Sequence, residues 1–540
     1  MPVNTLSMPI CRISIHSGEE LYSITPNVEE NPNSRVLSIT TSKTLNSPAG
    51  SFTIVLAGSG LFGKIGSQNI VVIELGRKNQ IADTIMVGLI DEVRLSRTVG
   101  SNNQKELRTV INGRDFGKVF LKAFIKWLPV LGTDKFPLEA LTSSDGQLMQ
   151  MLKFYTRSEQ QQGSPAMIIQ QAIDSVLHAV MGFNIKYWRD NKLQDIGLKE
   201  LVRYRLGKTN FILDVWTSMG SYEGALWNFM TSVENKPFFE LFIDTIDDNE
   251  TKYVGDMLKQ SKVERDSYKS GDFSATFGED NAKIILYLRE TPFDEDNWKD
   301  LRTVFIDDSQ ILSEDLGYGD HENYNMFLVN PKMTILGEDI YRSYVRPEYD
   351  AENVKKYGIS FMERSVDGVF AKDDGSLDVG MTETGKTLTK KLKSWYEKNL
   401  TYLNGSIKLQ GLGGARVGMK LINLDTGYEY YIEGVSQNFD VFSSWSTSLQ
   451  VTRGQKISKI TKTDKEVVIL PDKNQPQTAE KKSIPEPTYY TVVKGDSLWK
   501  IAHRFYNNGL LYQKIYDANK DIIKNKDLIY PGQKFIIPGK

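Results

Sequence analysis

Two spacings of apolar residues alternate along this chain. From residue 10 to 112 the runs are short and β-branched: Ile13-Ser14-Ile15, Val36-Leu37-Ser38-Ile39, Phe52-Thr53-Ile54-Val55-Leu56 and Ile70-Val71-Val72-Ile73-Glu74-Leu75. Turn formers separate them, as in Glu30-Asn31-Pro32-Asn33 and Ser47-Pro48-Ala49-Gly50, so the segment reads as strands joined by turns. The longer run from Ile85 to Leu95 predicts a strand bent at Gly88 that serves two sides of a small barrel or sandwich.

Near Asp115 the spacing becomes helical. Phe116 to Trp127 and Ala166 to Val180, with Ile169, Ile173, Val176, Leu177 and Val180 on one stripe, predict helices. Another is expected from Ser221 as N-cap, with Glu223 in its first turn, through Leu226, Trp227, Met230 and Val233, ending before Pro237. Ala282 to Arg289 reads as a strand, residues 300–380 as short strands among polar loops, and Thr387 to Leu403 as a lysine-rich amphipathic helix. Alternation returns in Ser406–Gln410, Tyr428–Val435 and Ser446–Thr452. Residues 455–488 hold four of the eighteen prolines, at 471, 476, 485 and 487, without an aromatic residue until the next segment begins. Such a tether spans ~30–35 Å as a flexible coil.

Composition narrows the class. At 540 residues, 40% hydrophobic and 25% charged, the chain is sized for three or four domains and excludes collagen-like, coiled-coil and wholly disordered classes. A net charge of −2 gives no overall pull towards nucleic acid or anionic lipid. One cysteine, Cys11, excludes an intramolecular disulfide and Cys-based metal centres, and His16, His178, His321 and His503 are never at ligand spacing. We therefore expect no metal and no cofactor. No stretch reaches the ~18 apolar residues of a membrane span. The opening Met1-Pro2-Val3-Asn4-Thr5-Leu6-Ser7-Met8 lacks the basic flank and apolar core of a signal peptide.

Three motifs suggest chemistry and fail on inspection. Gly58-Ser59-Gly60-Leu61-Phe62-Gly63 matches G-x-G-x-x-G, and Lys64 extends it towards a P-loop, yet Ile65 stands where Ser or Thr should hold magnesium. A strand follows where a phosphate-binding helix would be needed. Asp294-Glu295-Asp296-Asn297 starts like a calcium loop, but Trp298 and Lys299 break it, leaving an acidic turn. Cys11 reads as a small buried residue. No G-x-S-x-G elbow occurs, and a carboxylate pair of the glycosidase kind cannot be located by sequence.

The last 52 residues carry the most specific signal. Tyr490-Thr491-Val492-Val493-Lys494-Gly495-Asp496-Ser497-Leu498-Trp499 predicts a strand, a turn and a capped helix, with Trp499, Ile501 and Ala502 starting its buried face. Tyr512 to Asn519 predicts a second helix, and Tyr530-Pro531-Gly532-Gln533 leads into a closing strand. This β-α-α-β pattern with its G-D-S-L-W, N-K and Y-P-G-Q signatures resembles the LysM domain. The resemblance implies a groove for N-acetylglucosamine chains, with Gly495, Asp496, Ser497 and Leu498 facing Leu528, Ile529, Tyr530 and Pro531. The same apolar residues could form the core of so small a domain, and docking to a protein partner is an equal alternative. Residues 489–540 hold nine basic against four acidic residues, a net +5 that leaves −7 elsewhere.

The larger part resembles the late-control type baseplate hubs of long-tailed phages and contractile injection particles. The resemblance rests on Val110–Phe116, Leu226-Trp227, Asn235–Phe242, Leu288–Phe293, Tyr349-Asp350, Tyr357-Gly358, Trp395-Tyr396, Leu403–Gly405, Val417–Met419 and Tyr430–Ser436, in that order. It implies an α+β multidomain chain. A tube-like β-barrel domain would occupy 1–114, mixed α+β hub domains 115–404, and strands completing a second barrel 405–454; the linker at 455–488 and the LysM domain at 489–540 follow. It further implies a homotrimer binding the tail tube or its initiator, the central spike and wedge proteins, with the tape measure and peptidoglycan as further candidates. Assembly would take place in the host cytoplasm, without enzymatic activity. The alternatives are a LysM-targeted cell-wall hydrolase and a peptidoglycan-binding adhesin.

Overall fold

The computed structural model describes residues 8–25, 35–77, 82–99, 105–127, 162–163, 165–174, 177, 185–189, 192–207, 211–214, 222–245, 275–277, 283–320, 322–331, 346–366, 369–371, 377–378, 382–441, 444–457, 488–493, 496–506, 512–520, 522–523, 529–530 and 532–538. They fall into two compact units, 1–474 and 475–540. The tether expected at 455–488 lies almost wholly outside the described residues.

The first unit is dominated by one sheet of thirteen strands. Seven come from the N-terminal region: β1 (Pro9–His16), β2 (Leu21–Ile24), β3 (Val36–Thr44), β4 (Ser51–Ala57), β5 (Ile70–Arg77), β6 (Asp83–Val99) and β7 (Lys105–Asp115). Six come from later in the chain: β8 (Thr303–Ile306), β9 (Ile311–Gly317), β10 (Leu403–Gln410), β11 (Lys420–Asn423), β12 (Tyr428–Asp440) and β13 (Trp445–Lys456). The hydrogen-bonded path runs β9-β10-β13-β12-β3-β4-β7-β6-β5-β1-β2, with β11 joining β12 to β8. It is an open path.

The two strand sets meet at β3 and β12. They run antiparallel from Gly434 opposite Thr44 to Asp440 opposite Ser38, with Phe439 facing Ile39. Ser436 and Ser42 share a hydroxyl bond of 3.1 Å across the seam. Phe439 and Trp445 are buried in the same apolar cluster as Ile13, Ile39, Ile54 and Ile73, so late strands complete the early core. A second cluster lies among the later strands and takes in Leu45 from the early set.

Between the strand sets, a four-stranded sheet orders Phe239–Thr245, Ile284–Glu290, Val202–Leu206 and Ala275–Phe277. Its core gathers Phe120, Tyr204, Trp227, Phe238 and Trp395.

Several expected boundaries move. Only Gly117–Lys122 of the helix expected over 116–127 forms; Phe124–Trp127 is a strand paired with Tyr222–Ala225. That pairing also replaces the first turn expected from Ser221, and the helix is Leu226–Val233. A backbone partner distant in sequence overrides the local apolar spacing here. Pro165–Ala172 is helical, while Val176 and Val180 lie outside the described residues. The late helix is Thr382–Tyr396, and Leu403 opens β10 instead of closing the helix. The early strands form where expected. Register shifts in β6 fall at Ile85, opposite β5, and between Ile90 and Glu92, opposite β7. Gly88 serves close approach: a Cβ there would stand 2.5 Å from the Arg114 carbonyl and 2.8 Å from the Phe52 ring.

Candidate functional site

The C-terminal unit contains the expected β-α-α-β order. Thr488–Thr491 pairs antiparallel with Lys534–Ile537, and helices Leu498–Tyr506 and Tyr512–Ala518 lie between them in sequence. The core is Val492, Leu498, Ile501, Ala502, Ile515, Ile523, Phe535 and Ile537. Asn519 fastens it with three bonds: its amide donates to the Ile515 and Ile536 carbonyls, and its oxygen accepts from Ile536 N–H, each at 2.7 Å. The Asn of the N-K signature is therefore a structural clamp.

Residues flanking the expected groove are bonded to each other. Val492 N–H donates to the Gln533 carbonyl at 2.9 Å, and Gly532 N–H donates to the Val492 carbonyl at 2.8 Å. Asp496 ties its own loop, accepting from Val493 N–H at 3.0 Å and Tyr490 OH at 2.7 Å. Burial alone would raise this carboxyl, but those bonds and the nearby Arg504 hold it below the usual carboxylate range. Arg504 also donates to the Tyr490 hydroxyl. Ser497 caps the first helix, its hydroxyl accepting from Lys500 N–H at 3.3 Å.

Of the residues assigned to the groove, Leu498 is buried in the core and Ile529 packs against it, whereas Tyr530 is 56% exposed. Gly495, Leu528 and Pro531 lie outside the described residues. Trp499, expected on the buried face, is instead 52% exposed. It precedes the stripe formed by Ile501 and Ala502, so the helix turns it to solvent. Among the described residues around these loops, Val493, Ser497, Trp499 and Tyr530 are exposed.

In the first unit the tempting motifs take structural roles. Gly58–Gly63 is a turn between β4 and β5, with Gly58 and Gly63 at φ 85° and 87°. Asp294 precedes a short helix, Glu295–Lys299; it accepts from Trp395 Nε1 at 2.9 Å and pairs with Lys391 at 2.8 Å. Cys11 is buried, which pushes its thiol up to about 12 and leaves it protonated and unreactive. Burial likewise lowers His16 to about 4; its Nδ1 accepts from Trp188 N–H and its ring stacks on Tyr187. Among the described residues no group of three His, Cys, Asp or Glu side chains is placed to hold a metal.

Sequence reasoning missed two arginines, half-buried Arg289 and buried Arg416, that tie distant segments together. Arg289 Nε donates to Glu240 at 3.0 Å, and its Nη2 donates to the Gly418 carbonyl at 2.8 Å and to Tyr431 OH at 3.0 Å. Burial raises Tyr431 far above the usual phenol range, so it stays a donor. Arg416 spends its guanidinium on backbone carbonyls, of Gly413 and Ala415 in its own loop, Thr84 in β6 and Thr245 in the central sheet. It pins three distant segments together.

Comparison with known proteins adds the following. Residues 490–538 match the model of the LysM domain. Over 50 residues the chain is 50% identical to the potassium binding protein Kbp of Escherichia coli O6:H1, a match covering 9% of this chain and 34% of that protein. Over 61 residues it is 38% identical to an uncharacterized protein, YqbP, of Bacillus subtilis, covering 10% and 28% respectively. The chain thus spans about a third or less of the curated relatives it matches. Its structural neighbours cover most of it. A tail protein from Neisseria meningitidis aligns over 82% of this chain and 96% of its own, at 10% identity and a TM-score of 0.39. The 43 kDa tail protein of prophage MuSo2 from Shewanella oneidensis gives the same coverage and score at 8% identity. A type VI secretion component from E. coli, described as structurally similar to T4 tail proteins gp27 and gp5, aligns over 79% and 74% at 8% identity, TM-score 0.34.

Proposed function

We propose that residues 1–454 are the structural hub of a baseplate, in a phage tail or a phage-tail-like contractile particle, where three copies close a ring joining the tail tube to the central spike. The observation that carries this reading is the seam between β3 and β12. It fuses strand sets from opposite ends of the sequence into one wall, as a chain must that presents two tube-like lobes from each copy. Residues 1–114 form the first lobe, 405–454 complete the second, and 115–404 brace them. The ordered hub-like segments of the sequence agree with this plan. The role is architectural, and assembly takes place in the host cytoplasm.

Residues 489–540, tethered by 455–488, serve as a docking module. Their net charge of +5 suits an acidic baseplate surface, and exposed Trp499 and Tyr530 supply apolar anchors. Binding of peptidoglycan N-acetylglucosamine chains by the groove from Gly495 to Leu498 and Leu528 to Pro531 is the second reading of the same module, favoured by the family match. Mass photometry of the full chain with tube and spike partners at micromolar concentration tests the hub reading. A trimer is expected; a stable monomer would overturn it.

A further inference from the structure

Besides the four-residue strands β2 and β8, which each pair on one side only, two longer edges of the thirteen-stranded sheet are bare among the described residues. β5 covers β6 only as far as Leu89, and Ile90 finishes that side by bonding to Gln68 and Asn69. From Glu92 to Val99 the strand pairs with β7 alone. At the end of the sheet, β9 pairs with β10 alone. Unpaired edges of seven or eight residues are templates for another strand.

The two edges differ in charge and match in length. The free stretch of β6 carries Arg94 and Arg97, both exposed, against one carboxylate, Glu92, which pairs with Arg94 in the isolated chain. β9, Ile311–Gly317, carries exposed Glu314 and Asp315 and no base. Apolar side chains flank the charges: Val99 and Leu107 on the arm, Leu312 and Tyr318 at β9, are 67%, 37%, 52% and 67% exposed.

We infer that the bare β6 edge of one copy pairs with the bare β9 edge of the next, a head-to-tail contact repeated around a closed ring. In an antiparallel register with Leu95 opposite Asp315, Arg97 lies diagonal to Asp315 on one face and Arg94 diagonal to Glu314 on the other, within reach of long side chains. A contact between two different surfaces of one chain closes a ring when the rotation allows it. This inference rests on the ring reading above and says which surfaces make the ring.

The test reverses charge on one edge, then on both. In the full chain, R94E/R97E and E314K/D315K should each weaken self-association at least tenfold by mass photometry, while far-UV circular dichroism and melting stay those of the wild type. The fourfold variant, with both edges reversed, should recover most of the loss. Trimers of both single-edge variants at wild-type strength, or no recovery in the fourfold variant, would overturn the edge pairing and leave the ring standing. A wild-type chain that stays monomeric with tube and spike partners would overturn both. Intact trimers of R94E/R97E that no longer bind the tube protein would give the arm to that partner and likewise refute the pairing.

Discussion

Tyr431, within β12, donates its phenolic hydrogen to Oε1 of Glu240 at 2.7 Å, across 191 residues of sequence. Arg289 bonds to both of them, closing a triangle between the central sheet and the late strands. Tyr431→Phe keeps the ring and deletes the hydroxyl, leaving buried Glu240 and half-buried Arg289 each short of a bond. A loss of about 1–3 kcal/mol is expected, measured as a lower urea midpoint for the first unit.

At the seam, Phe439 faces Ile39 and is buried in the core of the early strands. Phe439→Ala should cost about 3–5 kcal/mol. Cleavage by a nonspecific protease should rise in the same variant, because both strand sets lose their shared packing.

Glu234 sits fully buried at the end of helix Leu226–Val233, accepting from Leu241 N–H at 2.8 Å. Burial raises its carboxyl to about 8, with Lys236 partly offsetting this and Glu240 adding to it. Because the folded chain holds this proton more tightly than the unfolded chain, stability should fall as pH rises from the ordinary carboxylate value to about 8. The slope approaches at most ~1.4 kcal/mol per pH unit. Glu234→Gln keeps the acceptor and removes the titration, so its unfolding midpoint should lose this component of the pH dependence.

Deleting residues 489–540 should leave self-association intact and lower the yield of complete particles, read by electron microscopy. Normal particle yield with lost binding to purified cell walls would instead assign the module to glycan.

Incubation of the full chain with peptidoglycan should release no soluble muropeptides above buffer. Release would restore the hydrolase alternative.

The strands were legible in the sequence because β-branched runs between turn residues leave little choice of structure. The helix limits at Ser221 and Leu403 were not, because Tyr222–Ala225 and Leu403–Gln410 take their form from partners more than 35 residues away. The C-terminal module was legible in its β-α-α-β order, whereas Trp499 reads as core in isolation and is exposed in the fold. Arg289 and Arg416 could not be singled out among 66 basic residues. Their meaning lies in carbonyls and a phenol supplied by distant segments.

The seam between β3 and β12 also sets a timetable. Thr44 leaves the ribosome about 390 residues before Gly434, its partner. At ~5–20 residues per second, β3 therefore waits ~20–80 s with one flank bare. Its residues Ser38, Thr40, Thr41, Ser42 and Lys43 form a largely hydroxylated ribbon with one ammonium group. Such a ribbon stays hydrated while nascent chains crowd around it, where an aliphatic one would invite neighbouring polysome products to pair. The polar seam thus lets a sheet closed last in synthesis begin with its first strands.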